Sequence, residues 1–99
     1  MKIIVAIVRP IKIDDVVNRM DEIDGFPGMT VVDSAGFGQR LRNASVDVFD
    51  PFKPNKRIEI VACDEMVEPL VAAIKESAHT GRKGDGIVFV MDVESFGVI

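Results

Sequence analysis

Lys2-Ile3-Ile4-Val5-Ala6-Ile7-Val8-Arg9-Pro10 is the stretch that decides the fold. Its apolar, largely β-branched residues read as a buried strand over Lys2 to Val8, and Arg9-Pro10 stops it, because the residue before a proline is pushed away from the helical region and proline gives the strand ladder no donor. A strand covered on one face alternates apolar and polar residues. This one does not alternate, so both of its faces need cover.

Beyond the stop, Ile13, Val16, Val17, Met20 and Ile23 recur at the spacing of one helical face, with Asp14, Asp15, Asn18, Arg19, Asp21 and Glu22 elsewhere on the surface. Gly25-Phe26-Pro27-Gly28 breaks that pattern, and Met29 to Phe37 resumes as a strand rich in Thr and Val. Gly38 to Pro54 has no sustained period and reads as a long loop, a feature uncommon inside a small domain and usually functional or disordered when it occurs. Arg57 to Cys63 is a third strand. Asp64 is a candidate N-cap for a second helix that buries Val67, Leu70, Val71 and Ile74, and Pro69 predicts a late start or a kink there. Gly86 to Val93 is a fourth strand, followed by a short apolar tail from Glu94 to Ile99.

The order β-α-β-β-α-β in 99 residues predicts one α+β domain over 1–99, a ferredoxin-like antiparallel sheet of four strands with two helices on one face. Strands one, three and four are apolar at nearly every position, yet two helices cover only one face. Leaving roughly six apolar side chains wet on the other would forfeit about 10 kcal/mol at about 1.5–3 kcal/mol each, as much as a whole domain's stability of about 5–15 kcal/mol. A second subunit is the expected cover, and a homo-oligomer supplies it most simply.

The net charge of −4 and a pI near 4.9 argue against general nucleic-acid binding. No span reaches the length of a membrane helix, and the apolar start is too short for a secretory signal, so a cytoplasmic location is expected. The single cysteine, Cys63, excludes an internal disulfide, and its apolar run suggests core packing. His79 has no metal-ligand partner near it in sequence and reads as a helix C-terminal residue complementing the dipole.

Thr80-Gly81-Arg82-Lys83-Gly84-Asp85-Gly86 places three glycines and two cations in seven positions. Glycine permits positive φ and close backbone approach to a ligand, while Arg82 and Lys83 add donors suited to phosphate. The same composition also makes an ordinary turn. A Walker loop is excluded because Ile87 follows the last glycine, and a dinucleotide fingerprint because a strand follows it instead of a helix.

Together with Arg9-Pro10-Ile11-Lys12, Gly28-Met29-Thr30-Val31, Gly36-Phe37-Gly38 and Arg57-Ile58-Glu59-Ile60-Val61, this loop resembles the PII nitrogen-regulatory signal-transduction proteins from Met1 to about Glu94. The resemblance implies a homotrimer with adenine-nucleotide sites in the clefts between subunits. It implies that Gly84, Asp85 and Gly86 hold phosphates beside Arg82 and Lys83, that Thr30 and the backbone of Val61 meet the adenine, and that Ile7 is an apolar contact to the ring. The resemblance further implies that the base of the long loop, Gly38, Gln39 and Arg40, closes over the ligand, with Gly36 also among the nucleotide-binding residues. No permanently bound cofactor is implied; the ligand is ATP, ADP or AMP, with Mg accompanying ATP. The partner is a regulated transporter or enzyme engaged through the loop, which admits a membrane-protein target although the chain itself offers no membrane segment.

Some positions depart from that pattern. Ile87 stands where the family commonly has a phosphate-reaching lysine, Asn55 replaces the usual lysine near the loop's end, with Lys53, Lys56 and Arg57 close by, and the sequence stops at Phe96-Gly97-Val98-Ile99 where the family has a pair of arginines. Charge-assisted contacts are worth about 1.5–3 kcal/mol each, so the expected preference moves from ATP toward ADP, AMP or another ligand. The chain contains no tyrosine, which excludes tyrosyl modification of the loop. Sensing of 2-oxoglutarate loses the lysine it uses in the family, while Gln39 is retained. The expected function is a PII-like regulator. The alternatives are a slow nucleotide phosphohydrolase, for which the sequence offers no paired base and nucleophile, and a structural trimer with a decayed nucleotide site.

Overall fold

The computed structural model describes residues 1–38 and 52–99, so Gln39, Arg40 and most of the expected loop lie outside the described residues. The elements run β1 (Lys2–Val8), α1 (Ile13–Asp21), β2 (Thr30–Gly36), β3 (Lys53–Ala62), α2 (Asp64–Ala78) and β4 (Gly86–Asp92), with a 3-10 turn over Pro10–Lys12 leading into α1. All pairings are antiparallel and the sheet order is β2-β3-β1-β4. This is the ferredoxin-like arrangement read from the sequence. The first strand occupies its expected residues, and β1 lies between β3 and β4 along its full length.

One face of the sheet carries Ile4, Ala6 and Val8 from β1 and Ile58, Ile60 and Ala62 from β3, packed against Val16 and Met20 of α1 and Leu70, Ala73, Ile74 and Ala78 of α2. The helices present apolar stripes at helical spacing and therefore share this single core. The opposite face alternates with it: Val5 is fully buried at its centre, while Val32, Ile87, Phe89 and Met91 stand exposed around it. On β3 that face carries Arg57, Glu59 and Val61, with Arg57 Nε 3.1 Å from Glu59 Oε2. Within Ile58 to Ala62 only Glu59 interrupts the apolar run expected of the third strand, and Arg57 precedes it.

Four expectations need correction. β3 begins at Lys53, four residues before Arg57, because Gly36 pairs with Lys53 and Ala35 with Pro54. Proline is tolerated there since β1 reaches only as far as Lys56, leaving that end of β3 with a neighbour on one side. Asp64 is not the N-cap: extended Cys63 holds that position without a side-chain bond, and Asp64 sits in the first turn, 3.1 Å from the Met1 amino group. Pro69 lies inside α2, which starts on time and runs on to Ala78. Cys63 is exposed, since capping α2 takes it out of the sheet and away from the core.

Candidate functional site

The register of β1 with β4 builds the site. Val8 pairs with Gly86, so Arg9, one step further along β1, falls beside Asp85 and the glycine loop. An L side chain at Gly86 would not fit: its φ is +136°, and a Cβ there would stand 2.0 Å from the Ile7 carbonyl oxygen. This glycine is demanded by the close approach of two strands as much as by any ligand.

Asp85 closes the loop on itself. Its carboxylate accepts from the Thr80 N–H at 2.7 Å and from the Thr80 hydroxyl, and the same hydroxyl accepts from Arg82 N–H at 3.1 Å. Arg9 reaches in from β1, donating from Nη2 to the Lys83 carbonyl at 2.7 Å and bringing Nε to 3.3 Å from Asp85 Oδ1. That Nε is enclosed and attracted by charge without being aligned as a hydrogen bond. His79, the residue that ends α2, places Nδ1 3.4 Å from Asp85 Oδ2 and is largely exposed. Partial burial works to raise the Asp85 carboxyl, but the Thr80 hydroxyl, the N–H groups of Thr80 and Gly81 and the Arg9 charge outweigh it and hold the group below the ordinary 3.8.

A cleft of about 360 Å³ opens beside this loop, lined by Ile7, Gly36, Gly38 and Gly86 together with Phe37 and Asn55. Asn55, 7% exposed, is satisfied when its amide accepts from Gly36 N–H at 3.3 Å and donates to the Pro54 carbonyl at 3.1 Å, tying β3 to the end of β2. Phe37 and Phe52 face each other across the neck of the β2–β3 connection with ring centroids 5.7 Å apart. A second cleft of about 410 Å³ lies on the other side of Ile7, Gly86 and Ile87, against the last turn of α2.

The fold therefore gathers Ile7, Gly36, Gly38 and Gly86 around one cleft, with Arg82, Lys83, Gly84 and Asp85 in the adjoining loop. Thr30 and Val61 lie elsewhere. Thr30 pairs with Glu59 and Val61 with Ile3, toward the opposite end of the sheet, and Thr30 is about 20 Å along β2 from Gly36 at about 3.3 Å per residue. Arg9 and Thr80 are site residues that sequence reasoning did not single out. A chain signal existed for Arg9, since antiparallel pairing of the first and last strands puts the residue after one beside the residue before the other.

A family profile described as Nitrogen regulatory protein P-II matches residues 1–99. Proteins named Nitrogen regulatory protein P-II are similar to the chain: that of Pasteurella multocida (strain Pm70) is 41% identical over 98 residues and that of Azospirillum brasilense 42% over 99, each match covering 95% of this chain and 87% of the relative. The corresponding protein of Bradyrhizobium diazoefficiens is 40% identical over 98 residues with the same coverage. No helix among the described residues is long and apolar enough to cross a membrane. With the ferredoxin-like sheet order, the glycine loop leading into β4 and this identity along nearly all its length, the chain belongs to the P-II family of nitrogen-regulatory signal-transduction proteins.

Proposed function

We propose that the protein is a non-enzymatic regulator that binds an adenine nucleotide between the subunits of a homotrimer and signals occupancy to a partner protein through the connection between β2 and β3. The observation that carries this reading is the division of the site. Ile7, Gly36, Gly38 and the Gly84 to Gly86 loop stand at one end of the sheet, and Thr30 and Val61 toward the other. A second copy is the simplest way to bring the two groups onto one ligand. The exposed apolar face around Val5, with Ile87, Phe89 and Met91, supports the same assembly.

In this reading the loop N–H groups meet the phosphates, Ile7 lines the apolar wall of the cleft, and Mg accompanies ATP when ATP is the ligand. Gly36, Phe37 and Gly38 line the cleft and lead directly into residues 39–51, so ligand contact there changes the loop's base. A transporter or an enzyme that reads the loop is the expected partner. The test is calorimetric titration of the assembled protein with ADP, ATP and AMP, alongside light scattering. Saturable binding at one nucleotide per chain by a particle of three chains is expected; a monomer, or a trimer that takes up none of the three nucleotides, refutes the proposal.

A further inference from the structure

We infer that Arg9 is the positioning residue of the glycine loop, fixing the direction in which the Gly84 N–H points; this rests on the reading that the loop receives phosphate. The guanidinium grips the loop on both sides of Gly84. It donates to the carbonyl of Lys83 before it and lies beside the carboxylate of Asp85 after it. The peptide between Lys83 and Gly84 is trans and planar, so its C=O and N–H point in opposite directions. Drawing the Lys83 carbonyl toward Arg9 therefore turns the Gly84 N–H away from Arg9.

Gly84 has φ +86°, a conformation that a free glycine leaves readily, and nothing in its own sequence selects one peptide orientation over its flip. Arg9 supplies that selection from a different element. It is well suited to the task, because the start of its side chain is fixed by the end of β1 and its guanidinium side chain is only 17% exposed. A planar fork can hold the carbonyl and the carboxylate at once, whereas the point charge of a lysine would satisfy one of them. Asp85 completes the arrangement by holding Thr80, so the loop is tied at its first residue and on both sides of Gly84 before any ligand arrives. Its donors then need little reordering to meet an anion.

The experiment compares wild type with Arg9→Gln and Arg9→Lys, the latter keeping the charge should loss of a partly buried cation impair folding. Two readouts are taken: ADP affinity by calorimetry, and the amide resonance of Gly84 in the ligand-free protein. Both variants are expected to lose at least about tenfold in ADP affinity and to move the Gly84 amide resonance, while retaining the wild-type particle mass. ADP binding by Arg9→Lys within roughly threefold of wild type, or an unmoved Gly84 amide in both variants, overturns the assignment. Failure of wild type to take up any of ADP, ATP and AMP refutes the proposed function instead, and the amide measurement, made without ligand, still decides the role of Arg9.

Discussion

Gly86→Ala and Gly81→Ala separate two kinds of glycine requirement within one loop. Both residues have positive φ, +136° and +83°, so an alanine at either is strained, at a cost of about 1–3 kcal/mol. They differ in their surroundings. A Cβ at Gly81 meets nothing within 4 Å, whereas at Gly86 it lies 2.0 Å from the Ile7 carbonyl oxygen, 3.1 Å from its carbon and 3.3 Å from Val8 Cα. Ordinary contact needs about 3.5 Å, so the first turn of pairing between β1 and β4 must open by more than an ångström, a shift of order 1–3 kcal/mol in a packed structure. For a domain of this size about 1 kcal/mol moves Tm by about 4–8 °C. Scanning calorimetry should therefore place Gly86→Ala at least about 4 °C below Gly81→Ala. Coincident melting of the two variants would refute the claim that strand contact, and not loop conformation alone, fixes Gly86.

Gly84→Val is consequently the cleaner test of the phosphate cradle than a change at Gly86: it should abolish nucleotide binding with the particle mass unchanged, and wild-type affinity would reduce the loop to a turn. Phe89→Asp puts a charge beside Val5 on the exposed apolar face, and light scattering should fall from about three times 10.8 kDa to a single chain; an unchanged mass removes that face from the assembly. Because Ile87 offers no charge at the cleft, ADP or AMP should bind at least as tightly as ATP, and Ile87→Lys should raise ATP affinity by about 1 kcal/mol or more; wild type that prefers ATP tenfold contradicts this. Asp85 titrates below its ordinary 3.8 in the folded chain, so its ionised form stabilises the fold above that pH, and the contribution is lost as pH falls through the lower folded value. Urea midpoints of wild type and Asp85→Asn should differ by a constant amount above about pH 5 and converge on further acidification; a gap that widens in acid would reverse the sign argued for this carboxyl.

Periodicity was enough for β1 and for the existence of every other element, because buried strands and amphipathic helices carry their packing in their own spacing. It failed where a partner decides. The polar run Lys53-Pro54-Asn55-Lys56 has no strand pattern of its own and is extended because β2 pairs with it, down to Gly36. The cap of α2 falls one position earlier, on Cys63, and Asp64 pairs with the Met1 amine, a distant partner that a local reading of Asp as a cap does not contain. At the site, the glycines of the loop were legible as a composition. The work of Arg9 and Thr80 was not, since both act through Asp85, and Arg9 meets it only once Val8 and Gly86 are in register. The separation of Thr30 from Gly36 was implicit in the reading of Met29 to Phe37 as one strand, since residues six apart on a strand stand about 20 Å from each other at about 3.3 Å per residue.

The central place of β1 also governs the order in which this protein can acquire its structure. Ile4 pairs with Ile60 on one side and Val90 on the other, partners 56 and 86 residues later in the chain (60 − 4 and 90 − 4). As the chain is synthesised, its most apolar strand is made before either neighbour exists. It cannot recruit a local hairpin, and every ladder bond it makes must first overcome the entropy of closing a long segment. Until β3 is complete, Lys2–Val8 is an unpaired β-branched run of the kind that seeks other strands. The β2–β3 pair can form early, but the core has no floor until β1 enters beside it, so commitment to the native topology comes late and protection of the nascent strand falls to whatever holds it in the meantime.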